Sequence, residues 1–183
     1  MHIVIISGSI REGRKSHRAA IFLLNSITQT ANTAEILDLK EYAFPLFHER
    51  LRYQKDPDAR VVDFAERVRR ADGVILVTPE YNGGYPASVK NIVDLLTDEW
   101  KRKPLAICTC SDGSFGGTQV ITSLLFSLWK IKAWVVAHMP VPKVGDAFAA
   151  DGTPAEPEAW AKRAHHLMDE LGWAMEARRR MEA

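Results

Sequence analysis

The sequence predicts a single α/β domain, a three-layer sandwich in which five parallel strands in the order 2-1-3-4-5 carry helices on both faces. Three observations predict it. Short, nearly continuous apolar runs end in glycine or proline, as strands buried on both faces do. Stretches with apolar residues at helical spacing separate those runs, so each parallel strand is joined to the next by a right-handed crossover. The chain is 183 residues long, which suits one such domain over residues 1–183 and leaves no room for a second of similar size.

The elements follow in order. Ile3 to Ser7 is the first strand, closed by Gly8. Ser16 to Thr30 places Ala19, Ala20, Leu23, Leu24 and Ile27 on one helical stripe. Ala34 to Leu39 is the second strand, and a loop through Phe44-Pro45-Leu46-Phe47 follows. Asp58 to Arg70 is a helix with Val61, Phe64, Ala65 and Val68 inward. Gly73 to Thr78 is the third strand, stopped by Pro79. Pro86 opens a helix to about Asp98, because a proline in a first helical turn forfeits no hydrogen bond. Pro104 to Thr109 is the fourth strand, Gly117 to Ile131 a helix and Ala133 to Ala137 the fifth strand. A loop from about Met139 to Pro157 leads to a last helix, Glu158 to Arg179.

Composition narrows the function. Hydrophobic residues make up 46% and charged residues 26%, with a net charge of +1. That balance offers no basic stripe for nucleic acid. No segment approaches the ~20 apolar residues of a membrane helix. The first residues lack the basic region and the ~7–15-residue apolar core of a signal peptide. A cytoplasmic protein is expected. Cys108 and Cys110 are two apart on one strand face, badly placed for a disulfide and read as small core residues. His165 and His166 are adjacent on a helix and point about 100° apart. With His138 they form no metal-ligand pattern, and no metal is expected.

In a sheet of this order ligands bind at the carboxyl ends of the strands, near the switch between strands one and three. Three loops lie there. The first, Gly8-Ser9-Ile10-Arg11-Glu12-Gly13-Arg14-Lys15-Ser16-His17-Arg18, precedes a helix whose free N–H groups and partial positive charge suit a phosphate. Ser9 and Ser16 add hydroxyls, and Arg11 and Arg14 can fork two bonds to phosphate. It matches neither G-x-G-x-x-G nor G-x-x-x-x-G-K-[ST], so the common dinucleotide and ATP loops are not supported. The plainer alternative is a polar turn with Ser16 as helix N-cap. The second loop runs Pro79-Glu80-Tyr81-Asn82-Gly83-Gly84-Tyr85-Pro86. Its prolines stiffen it, its glycines allow close approach, and Tyr81, Tyr85 and Asn82 suit a heterocycle. The third is Ser111-Asp112-Gly113-Ser114-Phe115-Gly116-Gly117.

Pro79-Glu80-Tyr81-Asn82-Gly83 with Pro86 and Lys90-Asn91 resembles the P-E-Y-N-G-x-x-P-x-x-x-K-N signature of NAD(P)H-dependent FMN reductases, a flavodoxin-like family that includes quinone, azo-dye and chromate reductases. Gly8-Ser9-Ile10-Arg11 resembles the family's phosphate loop, and residues 111–117 its S-x-G-x-x-G-G loop. The resemblance covers roughly residues 3–137, with the three motifs in register. It implies that Ser9, Arg11, Ser16 and His17 hold the phosphate of FMN, with Arg14 a further candidate. His17 stands where the family often has asparagine. Pro79, Glu80, Tyr81, Asn82 and Gly83 would line the isoalloxazine and ribityl groups, and Ser111, Gly113, Gly116 and Gly117 would close the other side of the ring. Lys90 and Asn91 are read as a helix-face lysine and a local hydrogen-bonder.

The implied activity is hydride transfer from NADPH or NADH to FMN and then to a small-molecule acceptor such as a quinone, azo compound, chromate or free flavin. The cofactor would carry the chemistry, so no catalytic acid or base is expected. The alternative is a flavodoxin-type electron carrier, against which the near-neutral charge counts, or a flavin-binding module without its own NAD(P)H oxidation. The family implies a homo-oligomer, dimer or tetramer. The helix with Val120, Ile121, Leu124, Leu125, Phe126, Leu128 and Trp129 agrees, being apolar around more than one face.

Overall fold

The computed structural model describes residues 1–182; residue 183, the end of the predicted domain, lies outside the described residues. The order is β1 (His2–Ser7), α1 (Ser16–Thr28), β2 (Thr33–Asp38), α2 (Leu39–Tyr42), α3 (Ala59–Arg70), β3 (Gly73–Pro79), α4 (Ala87–Leu95), β4 (Pro104–Cys110), α5 (Thr118–Lys130), β5 (Trp134–Val141), α6 (Val144–Ala147) and α7 (Pro157–Glu182). Among the described residues the strands form one sheet of order β2-β1-β3-β4-β5, and every neighbouring pair is parallel. The predicted class and strand order are those observed.

Side-chain alternation explains the three layers. In β1, Ile3 and Ile5 face the core under α1 and α7, while Val4 and Ile6 face the core under α3, α4 and α5. Ile75 and Val77 alternate with Val74 and Leu76 in β3, and Ala106 and Cys108 with Leu105 and Ile107 in β4. Each aliphatic side chain so buried contributes roughly 1.5–3 kcal/mol of transfer free energy. Cys108 and Cys110 share the α1 face of β4, both buried and both free.

Where boundaries differ from expectation, a tertiary contact decides them. The fourth helix stops at Leu95 rather than near Asp98: Leu96 turns extended, and the buried Trp100 donates its indole N–H to the carbonyl of Ile92. β5 continues to Val141 instead of ending at Ala137, following β4 to Cys110 past a bulge at Leu105/Ala106. Pro140 is tolerated because β5 is an edge strand, where a missing N–H leaves no ladder bond unmade. The predicted 139–157 loop holds α6 and a short pairing of Phe148 with Pro154. It seats Phe148 against Phe22 and Trp160, both at 4.7 Å between ring centroids.

Candidate functional site

The three loops meet at the carboxyl edge of β1, β3 and β4. A cleft of about 260 Å³ is lined there by Ser9, Arg11, Arg14, Ser16, Pro79, Glu80, Tyr81 and Ser111. It also takes in Glu12, Gly13, Lys15, Cys110, Asp112 and Val144, which the sequence did not single out. His17, Asn82, Gly83, Gly113, Gly116 and Gly117 do not line it, and their contacts show what they do instead.

The first loop presents an anion site. Lys15, not Ser16, holds the N-cap position of α1, and no side chain caps the helix. The leading N–H groups of α1 are therefore free of side-chain partners at the cleft, beside the buried Ser16 and Ser9. Arg14 is committed elsewhere. Its guanidinium makes a two-pronged ion pair with the buried Asp38 at the end of β2 and donates to the carbonyl of Ser9 at 2.6 Å. It is a strut that shapes the loop. Arg11 remains the forked donor at the cleft, its guanidinium 5.2 Å from the centroid of Tyr81. His17 places Nδ1 3.0 Å from Ser7 Oγ and 3.7 Å from Asp38. Burial lowers its pKa, with Asp38 opposing that shift.

The second loop folds on itself. Tyr81 and Gly84 exchange backbone hydrogen bonds of 2.8 and 3.1 Å, and Asn82 and Gly83 between them have φ of 53° and 80°. Two successive positive φ values are the mark of a type I′ turn, for which Asn-Gly is the favoured pair. The turn aims Tyr81 back at the first loop, where its hydroxyl and Ser9 Oγ share a 2.7 Å hydrogen bond. Tyr81 thus brings a polar tip to the phosphate end of the cleft as well as a flat face. The family signature's last two residues also have defined partners. Lys90 pairs with Asp94 one turn on. Asn91 is not local: it accepts from the Phe47 N–H and donates to the Pro45 carbonyl at 2.8 Å, pinning the 44–47 loop to α4.

The third loop is fastened to β5. Ser111 N–H donates to the Val141 carbonyl at 3.1 Å, and Lys143 N–H to the Gly113 carbonyl at 3.1 Å. Gly116 has φ of 62°, and a Cβ there would lie 2.9 Å from both Pro140 Cβ and Val141 N. Gly117, φ 73°, caps α5 and sits against the Cys110 carbonyl. These two glycines let the loop close down onto the sheet. Gly113 is open, with nothing nearer than Ser111 Oγ at 3.9 Å. Cys110 reaches the cleft wall, yet hydrogen bonding with the Cys108 thiol and burial push its thiol pKa up, so it offers no thiolate nucleophile.

The sequence missed Asp38. Its signal was present in the predicted strand order, since the end of strand two adjoins the loop after strand one. A buried carboxylate in that place requires a cation, and Arg14 supplies it. Among the described residues no group of three or more His, Cys, Asp or Glu converges as a metal site. No described helix is long and apolar enough to cross a membrane.

A doubly wound sheet with an uncapped helix N-terminus, hydroxyls and an arginine at one end of its cleft, and a turn and a glycine loop at the other, defines a flavin-nucleotide-binding class of α/β protein. A match of residues 1–145 to the model of the NADPH-dependent FMN reductases shows that the chain belongs to that family. An NAD(P)H-dependent FMN reductase of Saccharomyces cerevisiae is 28% identical over 155 residues, which is 77% of this chain and 80% of that protein. A quinone reductase of Pseudomonas putida is 30% identical over 123 residues, 63% of this chain and 62% of that one. The chain thus spans less than two thirds of the length of that second relative. Among solved structures, a flavoenzyme NAD(P)H:(acceptor) oxidoreductase of Paracoccus denitrificans superposes with a TM-score of 0.77 at 23% identity, covering 96% of this chain and 97% of that one. That likeness is one of fold.

Proposed function

We propose that this chain, as one domain, is an FMN-dependent oxidoreductase that takes hydride from NADPH or NADH and reduces a small quinone-like acceptor. The observation that carries the reading is the convergence of Ser9, Arg11 and Ser16 with Pro79 to Tyr81 and Ser111 on one cleft at the carboxyl edge of the sheet. The donor set fits FMN. A phosphate takes charge-assisted bonds from Arg11, hydroxyls and a free helix N-terminus. Pro79, Glu80 and Tyr81 would hold its ribityl and ring portions. When bound, FMN supplies the two-electron chemistry.

The protein's part is positional. Arg14 and Asp38 hold the first loop in shape, and the turn at Asn82-Gly83 fixes Tyr81. Gly116 and Gly117 bring the third loop against the sheet, with Gly113 at its open rim. His17 backs the phosphate end from the first turn of α1. No side chain in the cleft is arranged as a nucleophile or as a base–nucleophile pair.

A homo-oligomer, dimer or tetramer, accompanies this reading. Phe126 and Trp129 on α5 are 69% and 70% exposed, a larger apolar surface than packing on one sheet face leaves over. Cytoplasmic residence is consistent with two free cysteines.

The test is an anaerobic absorbance titration of the FMN-loaded protein. Flavin bands that bleach with NADPH or NADH and return on adding benzoquinone are expected. FMN binding without bleaching would move the protein to the electron carriers, and absence of FMN binding would end the cofactor reading.

A further inference from the structure

At the phosphate end of the cleft lies a cluster that takes no part in the hydride transfer itself: His17, Ser7, Arg14 and Asp38. Of these four side chains, His17 is the one whose ring can take up a proton near neutral pH. The imidazole is half-buried, on the second residue of α1. Its Nδ1 lies 3.0 Å from Ser7 Oγ and 3.7 Å from the carboxylate of Asp38.

We propose that FMN is captured with uptake of one proton on His17, and that Asp38 is the positioning residue that sets this coupling from behind the cleft. The proposal rests on the FMN reading above and concerns how that site is regulated. Asp38 does not line the cleft. It is buried, accepts both prongs of Arg14, caps α2 through Lys40 N–H at 3.0 Å, and faces His17.

The charges around the ring settle its state in the free protein. Asp38 from β2 and Glu41 from α2 favour imidazolium, while Arg14 from the loop opposes it. The N-terminus of α1 opposes it too. Burial opposes it most, so the ring's pKa lies below the usual histidine range. Nearby Lys40 and Glu12 pair with each other at 2.8 Å and largely cancel. Arg18 on the same helix is turned away to the carbonyls of Gly145 and Phe148, and β1 contributes only the Ser7 hydroxyl. A phosphate dianion arriving at this helix end reverses the balance. The bound complex then holds one proton more than free protein plus free FMN dianion.

The experiment titrates apo-protein into FMN by flavin fluorescence at pH 8.0 and 6.5 at constant ionic strength. Kd for the unaltered protein is expected to tighten about five-fold at the lower pH, within the roughly 30-fold that uptake of one full proton across these pH values allows. The window stops at 6.5 because the FMN phosphate itself takes up a proton near pH ~6. His17→Asn is expected to bind FMN with a flat profile, and riboflavin, which has no phosphate, to show no tightening with any variant. Asp38→Asn is expected to move the tightening to lower pH, which mere loosening of the loop would not do. Should Asp38→Asn fail to fold, NMR titration of His17 in the unaltered protein decides: its midpoint must rise when FMN is added. An unmoved midpoint, or a pH profile unchanged in His17→Asn, overturns the proposal. Failure of FMN to bind at either pH would instead remove the cofactor reading on which it stands.

Discussion

Two glycines three residues apart in one loop are expected to respond very differently to the same added methyl. In Gly116→Ala the methyl would meet Pro140 Cβ and Val141 N at 2.9 Å, and the Pro142 N at 3.0 Å. The backbone there has φ of 62°, which costs a non-glycine residue roughly 1–2 kcal/mol by itself. The opposing atoms cannot retreat cheaply. Val141 pairs with Cys110 in the sheet and accepts from Ser111 N–H. The loop must move instead, which strains the 2.7 Å bond from Thr109 Oγ1 to the Gly116 carbonyl and the start of α5. Overpacking of this kind adds about 1–3 kcal/mol, for a total near 3. With a urea dependence of ~2 kcal/mol per M, the unfolding midpoint falls by about 1.5 M. Gly113→Ala, with no atom inside 3.9 Å, should stay within about 0.5 kcal/mol of the parent. The assay is equilibrium urea unfolding of both variants by circular dichroism. Equal midpoints for the two would refute the argument that loop closure onto β5 demands glycine.

Other outcomes follow from single observations. Gly172 lies inside α7 with nothing within 4 Å of a added Cβ, so Gly172→Ala should stabilise by about 0.5–1 kcal/mol, read from the same unfolding curve. Lys103 is buried, donates to the carbonyls of Arg69 in the last turn of α3 and of Ala71 just beyond it, and has a pKa lowered by burial from 10.5 to about 8. The unfolded chain then holds more protons than the folded one between those values, so stability rises with pH there, by about 2 kcal/mol from pH 7.5 to 10. Lys103→Met should abolish that rise relative to the parent; parallel pH profiles would contradict it. Phe126→Asp with Trp129→Asp should convert an oligomer to a monomer in sedimentation, and an unchanged oligomer would place the interface elsewhere.

The loops were legible because their chemistry is local. Pro79-Glu80-Tyr81-Asn82-Gly83 specifies a turn through proline, Asn-Gly and glycine, whatever surrounds it, and the order of the strands follows from alternation of apolar runs. What the neighbours decide was not legible. Arg14 and Arg11 are the same residue type in one loop, and only the buried carboxylate of Asp38, far off in sequence, ties up the Arg14 guanidinium while that of Arg11 lies by Tyr81. Asn91 looks like a local hydrogen-bonder until the fold brings Phe47 to it. Gly113 and Gly116 look interchangeable until β5 passes beneath one of them.

The sequence by itself determined the doubly wound sheet and the three loops at its carboxyl edge, because periodicity, turn chemistry and helix-terminus electrostatics act over a few residues. The tertiary structure alone decided which side chains face the cleft and which brace it from behind. Burial and long-range pairing set those roles, and both depend on residues that the chain brings together only after it has folded.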